Sequence, residues 1–313
     1  MSVQEWAATG AARGPDQSLA LELVRVTEAA AIAAGRWVGR GERGSGRIAA
    51  THAMHEHLRS VPMRGTVAIG EEGTPILFRG EDAGLGEGPV CDLALTAGDG
   101  ALAPLGDVPN SLAAIAVAER GALYDAPPGA LVEKLAVGPG CGAVVDITRP
   151  IAENLWSIAA VKDIRVSDVV VGVLNRPRHR ELVHAIRDAG ARVHLLEGGD
   201  LAGAIAVARP ASTIDVLLGS GGAAEAVIAA AALSCLGGAL QVRVRLDGTD
   251  KTLHTGDLVR GEDILFCATG VTGSELLRGV RHHAGRITTQ SIVVSSRPGT
   301  VRIVESEREQ RLT

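Results

Sequence analysis

Apolar residues recur at helical spacing from Ser18 to Val38: Leu19, Leu21, Leu23, Val24 and Val26 lead into an alanine-rich run at 29–34. That period predicts a long helix. A glycine-rich, charged turn over residues 39–47 separates it from a second predicted helix at Ile48–Leu58. The period then falls from 3.6 to 2, the spacing of strands. Short runs between turn residues predict strands at Thr66–Ile69, Ile76–Phe78, Asp92–Leu95, Leu112–Val117, Leu123–Asp125, Leu131–Val137 and Val144–Ile147. After a predicted helix at Ile151–Val161 the texture changes. Strands at Val169–Leu174, Val193–Leu196 and Ile214–Leu218 alternate with helices at His179–Asp188, Leu201–Ala208 and Ala223–Leu236. Such alternation implies right-handed βαβ units and a parallel sheet covered on both faces. Ile264–Cys267 and Ser291–Ser295 are further predicted strands.

The expectation is an α/β protein, antiparallel-rich in its first half and parallel-rich in its second. Its parts are a leader at 1–16, an N-terminal α+β domain at 17–160 and a C-terminal α/β domain at 161–313. The 313-residue length suits two domains or one large unit. Only 2% of residues are aromatic, so the core must be built from Ala, Val, Leu and Ile. No apolar run reaches the ~18 residues of a membrane span, and a soluble, cytoplasmic protein is expected. With 31 basic and 36 acidic residues the net charge is −5, which gives no reason to expect nucleic acid as partner. Cys91, Cys141, Cys235 and Cys267 are far apart with no CxxC pair, so a zinc site or disulfide framework is not expected.

Candidate chemistry sits at strand ends and glycine turns. Glu71 and Glu72 follow the predicted strand ending at Ile69, and Asp99 lies in a glycine turn beyond the strand opened by Asp92. Glu225 follows the loop Gly219-Ser220-Gly221-Gly222. Carboxylates so placed converge readily on Mg²⁺ or Mn²⁺, which take oxygen ligands and bridge to phosphates. Acids beside glycines also serve simply as surface turns. The glycine loop, ahead of a helix, offers backbone N–H groups to an anion, though tight packing explains its glycines equally well. Arg176-Pro177-Arg178-His179 sits at the carboxyl edge of the sheet, where open α/β folds bind ligands. His52 and His55 share a helix face, a spacing better explained by solvated histidines than by metal.

Taken in order, these segments resemble the class II fructose-1,6-bisphosphatases of bacteria, within the lithium-sensitive sugar phosphatase superfamily. The resemblance runs from about Leu19 to Val304. It rests on Arg25-Val26-Thr27-Glu28, Gly39-Arg40-Gly41, Val67-Ala68-Ile69-Gly70-Glu71, Glu133-Lys134-Leu135-Ala136-Val137-Gly138, Arg176-Pro177-Arg178-His179, Gly221-Gly222-Ala223-Ala224-Glu225 and Ala268-Thr269-Gly270. It implies a layered αβαβα fold and metal-dependent hydrolysis of a sugar phosphate monoester, with fructose 1,6-bisphosphate as the default substrate.

By the same resemblance Glu71, Asp99 and Glu225 are metal ligands, with Glu42 and Glu71 in catalytic roles. Lys134, Arg176, Arg178 and Asp200 would hold the substrate, and the assembly would be a homodimer or homotetramer. The sequence departs from the family at several acids. Glu42 and Arg47 stand where the family has Asp, Thr96 stands at a metal-ligating Asp, and Asp99 stands at a Glu. The expectation is therefore a single, weak Mg²⁺ or Mn²⁺ site. The alternative is a relative that only binds a sugar phosphate, or that runs different chemistry on one.

Overall fold

The computed structural model describes residues 14–15, 17–42, 44–98, 109–246 and 249–309. Helix α1 (Ala20–Gly35) follows a single 3-10 turn at Gln17–Leu19, and α2 (Ser45–Leu58) starts three residues before its predicted position. Their apolar stripes meet one face of a sheet built from β1 (Arg64–Ile69), β2 (Asp82–Ala83), β3 (Val90–Thr96), β4 (Leu112–Glu119), β11 (Ile264–Gly270), β12 (Arg281–His283), β13 (Arg286–Ser295) and β14 (Thr300–Glu309). The path across it is β12-β13-β11-β4-β3-β1-β2, with β14 paired to β13. A second sheet runs β10 (Thr249–His254), β9 (Ala239–Leu246), β5 (Leu131–Val137), β8 (Val216–Gly222), β6 (Val170–Leu174), β7 (Arg192–Leu196). Both sheets are mixed. In the first only β1 and β3 pair in parallel, and in the second β6 pairs in parallel with β7 and β8.

Strand β4 explains the layering. Leu112, Ala114, Ala116 and Ala118 face one core, while Ala113, Ile115 and Val117 face another. A strand buried on both faces needs no polar alternation, so its sequence reads as an apolar run. On its inner face lie α5 (Leu201–Ala206) and α6 (Ala223–Leu236), which also pack against Val132, Ala136 and Leu217 of the second sheet. Helix α6 is apolar nearly all round because it is clamped between two sheets. Leu135, Val137, Val171 and Val173 on the far side of the second sheet are covered by α3 (Ile151–Lys162) and α4 (Arg180–Asp188). The layers are thus αβαβα, as the resemblance implied.

Several local expectations are corrected. Ile76–Phe78, Leu123–Asp125 and Val144–Ile147 lie in bends, turns and irregular chain rather than strands, Leu123 keeping one isolated bridge to Val259. Strands β2, β9, β10, β12 and β14 lie outside the predicted runs. Strand β14 is an exposed edge rich in Arg and Glu, a composition that protects edges from aggregation and hides the strand signal. The expected division at 160/161 does not coincide with the division between sheets. Strand β5 belongs with the later strands β6–β10, and β11–β14 return to the first sheet. Chain order cannot reveal this, because partner choice follows the faces the helices leave open. No described helix is long and apolar enough to cross a membrane.

A buried polar network ties α1 to the returning strands. Thr269 Oγ1 donates to Thr27 Oγ1 at 2.8 Å and lies 2.7 Å from Ser291 Oγ, while Thr289 Oγ1 donates to Glu28 Oε1 at 3.0 Å. Glu28 is also paired with Arg308. The Thr27-Glu28 motif is therefore part of the scaffold, since buried polar groups must find partners.

Candidate active site

The ends of the two sheets border a cleft of about 450 Å³. Glu71, Glu72 and Thr96 come from the first sheet, and Leu131, Gly222 and Glu225 from the second sheet and α6. Gly70 makes the turn after β1 possible: a Cβ there would lie 1.9 Å from the Leu77 carbonyl oxygen. That turn presents Glu71, which is largely buried, with Oε1 accepting the Ala97 N–H at 2.7 Å. Its other oxygen, Oε2, faces Arg47 Nη1 at 3.8 Å. Glu72 Oε1 accepts the Gly129 N–H at 2.8 Å and spans the cleft from one wall to the other. Glu225 lies in the first turn of α6, where an acid complements the helix dipole. It folds back over Gly222, where a Cβ would fall 2.0 Å from Oε2.

Of the expected metal ligands, Glu71 and Glu225 line this cleft. Asp99 lies outside the described residues. Glu42 is exposed, accepts a hydrogen bond from Ser45 Oγ at 3.1 Å and does not line the cleft. Its side chain is drawn to the start of α2 instead. Asp92 accepts the Gly121 N–H at 2.7 Å and pairs with Arg120 at 3.1 Å, a wholly local role. His55 pairs with Glu81 at 3.0 Å, and His52 is exposed. Among the described residues no three His, Cys, Asp or Glu side chains are placed to hold a metal ion. Glu71 and Glu225 are hard oxygen donors of the type Mg²⁺ and Mn²⁺ prefer. In kind they fit one such ion, and among the described residues they do not fit two.

The expected substrate residues cluster at the same end of the second sheet. Lys134 and Asp200 are both buried, with Nζ donating to Oδ2 at 2.9 Å. Arg178 donates from Nε to Ser220 Oγ at 3.0 Å and from Nη2 to Ser220 O at 2.8 Å. Arg176 is differently used: Nη1 and Nη2 bind the carbonyls of Asn175, Glu197 and Gly198 at 2.9–3.3 Å. It clamps the chain after β6 to the chain after β7.

The glycine stretch 219–222 departs from expectation. It continues β8, paired with β5 from Leu131↔Gly222 to Lys134↔Gly219, rather than forming a loop. Side chains crowd its backbone. A Cβ at Gly221 would meet Asp200 Oδ2 at 2.6 Å and Lys134 Nζ at 2.9 Å, and one at Gly219 would meet the His179 ring at 3.3 Å. Close approach is why Gly221 is glycine, whereas Gly219 also has a positive φ of +156° that side-chain-bearing residues rarely adopt.

His179 was named in a motif, but its partner was not legible in sequence. Its Nε2 accepts the Ser220 N–H at 2.9 Å and lies 3.0 Å from Ser220 Oγ. The proton is therefore on Nδ1, which donates to Leu174 O at 2.9 Å. Burial pushes the His179 pKa below its ordinary value, with the neighbouring Arg178 adding to the effect. The 41-residue separation hides this contact, although a His beside a glycine-rich strand end is a usable signal. Arg178 and His179 also line a second pocket of about 300 Å³ over Leu135, Ile151 and Leu182.

Comparison with known proteins adds a family. The family model described as "Bacterial fructose-1,6-bisphosphatase, glpX-encoded" matches residues 17–308. A Synechococcus sp. (strain JA-2-3B'a(2-13)) protein named D-fructose 1,6-bisphosphatase class 2/sedoheptulose 1,7-bisphosphatase is 36% identical, covering 93% of this chain and 95% of its own. A Synechocystis sp. (strain ATCC 27184 / PCC 6803 / Kazusa) protein of the same name is 34% identical, covering 93% and 96%.

Proposed function

Because the chain belongs to the family of bacterial fructose-1,6-bisphosphatases, we propose that it is a sugar-phosphate phosphomonoesterase working with one divalent ion. Fructose 1,6-bisphosphate and sedoheptulose 1,7-bisphosphate are the first substrates to consider, since both appear in the relatives' names. The observation that carries this reading is the cleft that Glu71 and Glu225 line together, one from each sheet's side. In the reaction water adds to phosphorus, the ester P–O bond breaks, and the sugar hydroxyl leaves with a proton. Mg²⁺ or Mn²⁺, held by Glu71, Glu225 and Asp99, would neutralise and orient the phosphoryl group.

This chain's own groups do the rest. The Ala97 N–H fixes Glu71 so that its remaining oxygen faces the cleft. Arg178, oriented by Ser220, presents an exposed guanidinium suited to a second phosphate or a sugar hydroxyl. Lys134 and Asp200 set the floor beneath the Gly221 backbone. Glu42 has no part in this proposal, because it does not line the cleft.

A second reading is favoured by one observation. Arg47 lies beside Glu71, on the wall where a second ion would need carboxylates. On that reading the protein binds a sugar phosphate without hydrolysing it. Phosphate release from the two bisphosphates, with Mn²⁺ or Mg²⁺ and with EDTA, separates the two readings. Release that EDTA abolishes supports the phosphatase. Tight binding by calorimetry without release supports the second reading and overturns the first.

A further inference from the structure

Among the described residues Arg47 is the basic side chain lining the 450 Å³ cleft, facing Glu71, Glu72 and Glu225. It projects from the first turn of α2 with its side chain 45% exposed. Among the described residues only Nη1 is engaged, 3.2 Å from Glu72 O and 3.8 Å from Glu71 Oε2. Neither Nε nor Nη2 hydrogen-bonds a described residue.

We infer that the free edge of the Arg47 guanidinium binds the phosphoryl group in this cleft, serving as a fixed side-chain cation in place of a second metal ion. The inference deepens the sugar-phosphate reading and rests on it. A structural explanation of Arg47 is weak, because a half-exposed ion pair at 3.8 Å contributes little. Glu71 has in any case a firmer partner in the Ala97 N–H.

Charge points the same way. Three carboxylates against one guanidinium leave the described cleft at −2, which one divalent ion would balance. A second divalent ion would have to sit beside the guanidinium and be repelled by it. A planar fork with two free donors is instead matched to two oxygens of a phosphate.

The test uses the full chain at saturating Mg²⁺, with inorganic phosphate and fructose 1,6-bisphosphate as calorimetric probes. Arg47→Gln is expected to raise both dissociation constants about 10- to 100-fold. Arg47→Lys should recover part of the loss, since the charge remains without the fork. Mn²⁺ affinity, followed by electron paramagnetic resonance of free Mn²⁺, should stay the same or tighten in Arg47→Gln. Both dissociation constants holding within twofold, or Mn²⁺ affinity falling with them, would overturn the inference. Failure of the wild type to bind phosphate would do the same, even if it releases phosphate from sugars. Binding of phosphate that depends on Arg47, without release from either bisphosphate, would sustain the inference while sinking the phosphatase reading.

Discussion

Lys134 Nζ and Asp200 Oδ2 meet at 2.9 Å with both side chains buried and the Gly221 backbone pressed against them. Two buried groups so placed satisfy each other, and each depends on its partner. Lys134→Met strands a buried carboxylate and is expected to cost about 3–5 kcal/mol in urea unfolding. The double variant with Asp200→Leu should recover most of that loss. If the single variant were no less stable than the double, the pair would not be coupled.

Gly221→Ala and Gly222→Ala separate packing from chemistry. At Gly221 the added Cβ meets an ion pair that has nowhere to go, with contacts of 2.6 and 2.9 Å. A loss of about 1–3 kcal/mol is expected. At Gly222 the Cβ meets only the flexible end of Glu225. That variant should melt near the wild type yet bind Mn²⁺ several-fold more weakly, since Glu225 must swing aside. Unchanged Mn²⁺ affinity would remove Glu225 from the proposed ligands.

His179 predicts an acid-sensitive scaffold. Its pKa in the folded protein lies below the ordinary 6.5, chiefly through burial. Between the two values the unfolded chain binds more protons than the folded one, so stability falls as pH drops through and below about 6.5. Protonation also turns Nε2 into a donor facing the Ser220 N–H donor 2.9 Å away. Melting temperatures from pH 8 to 5 should fall more steeply in the wild type than in His179→Gln. Parallel slopes would show that His179 does not contribute.

Thr96 ends β3 at the cleft with a neutral hydroxyl. Thr96→Asp adds a carboxylate where cations are expected and should tighten Mn²⁺ about tenfold, which is 1.4 kcal/mol. Calorimetry measures it directly. No change in affinity would mean that the ion, if it binds, lies away from β3.

Much of the fold was legible in sequence, because period follows burial. Helix α1, the two-face-buried β4 and the almost wholly apolar α6 each announce how many sides they bury, and the motifs taken in order carried the family resemblance. Glu71 and Glu225 stand out in the sequence as acids at glycine turns and Arg178 at a strand's carboxyl edge, whereas Lys134 and Asp200 enter only through the family resemblance. Their relationships were not legible. Only the folded chain sets Lys134 on Asp200, His179 on Ser220 and Arg47 on Glu71, each pair being 24–66 residues apart. It also engages Glu42 with Ser45 at the start of α2, commits Arg176 to backbone carbonyls, and returns β11–β14 to the first sheet. Local propensity acts over a few residues. Which distant groups share a site is decided by how the two sheets pack on α6, and no local pattern encodes that.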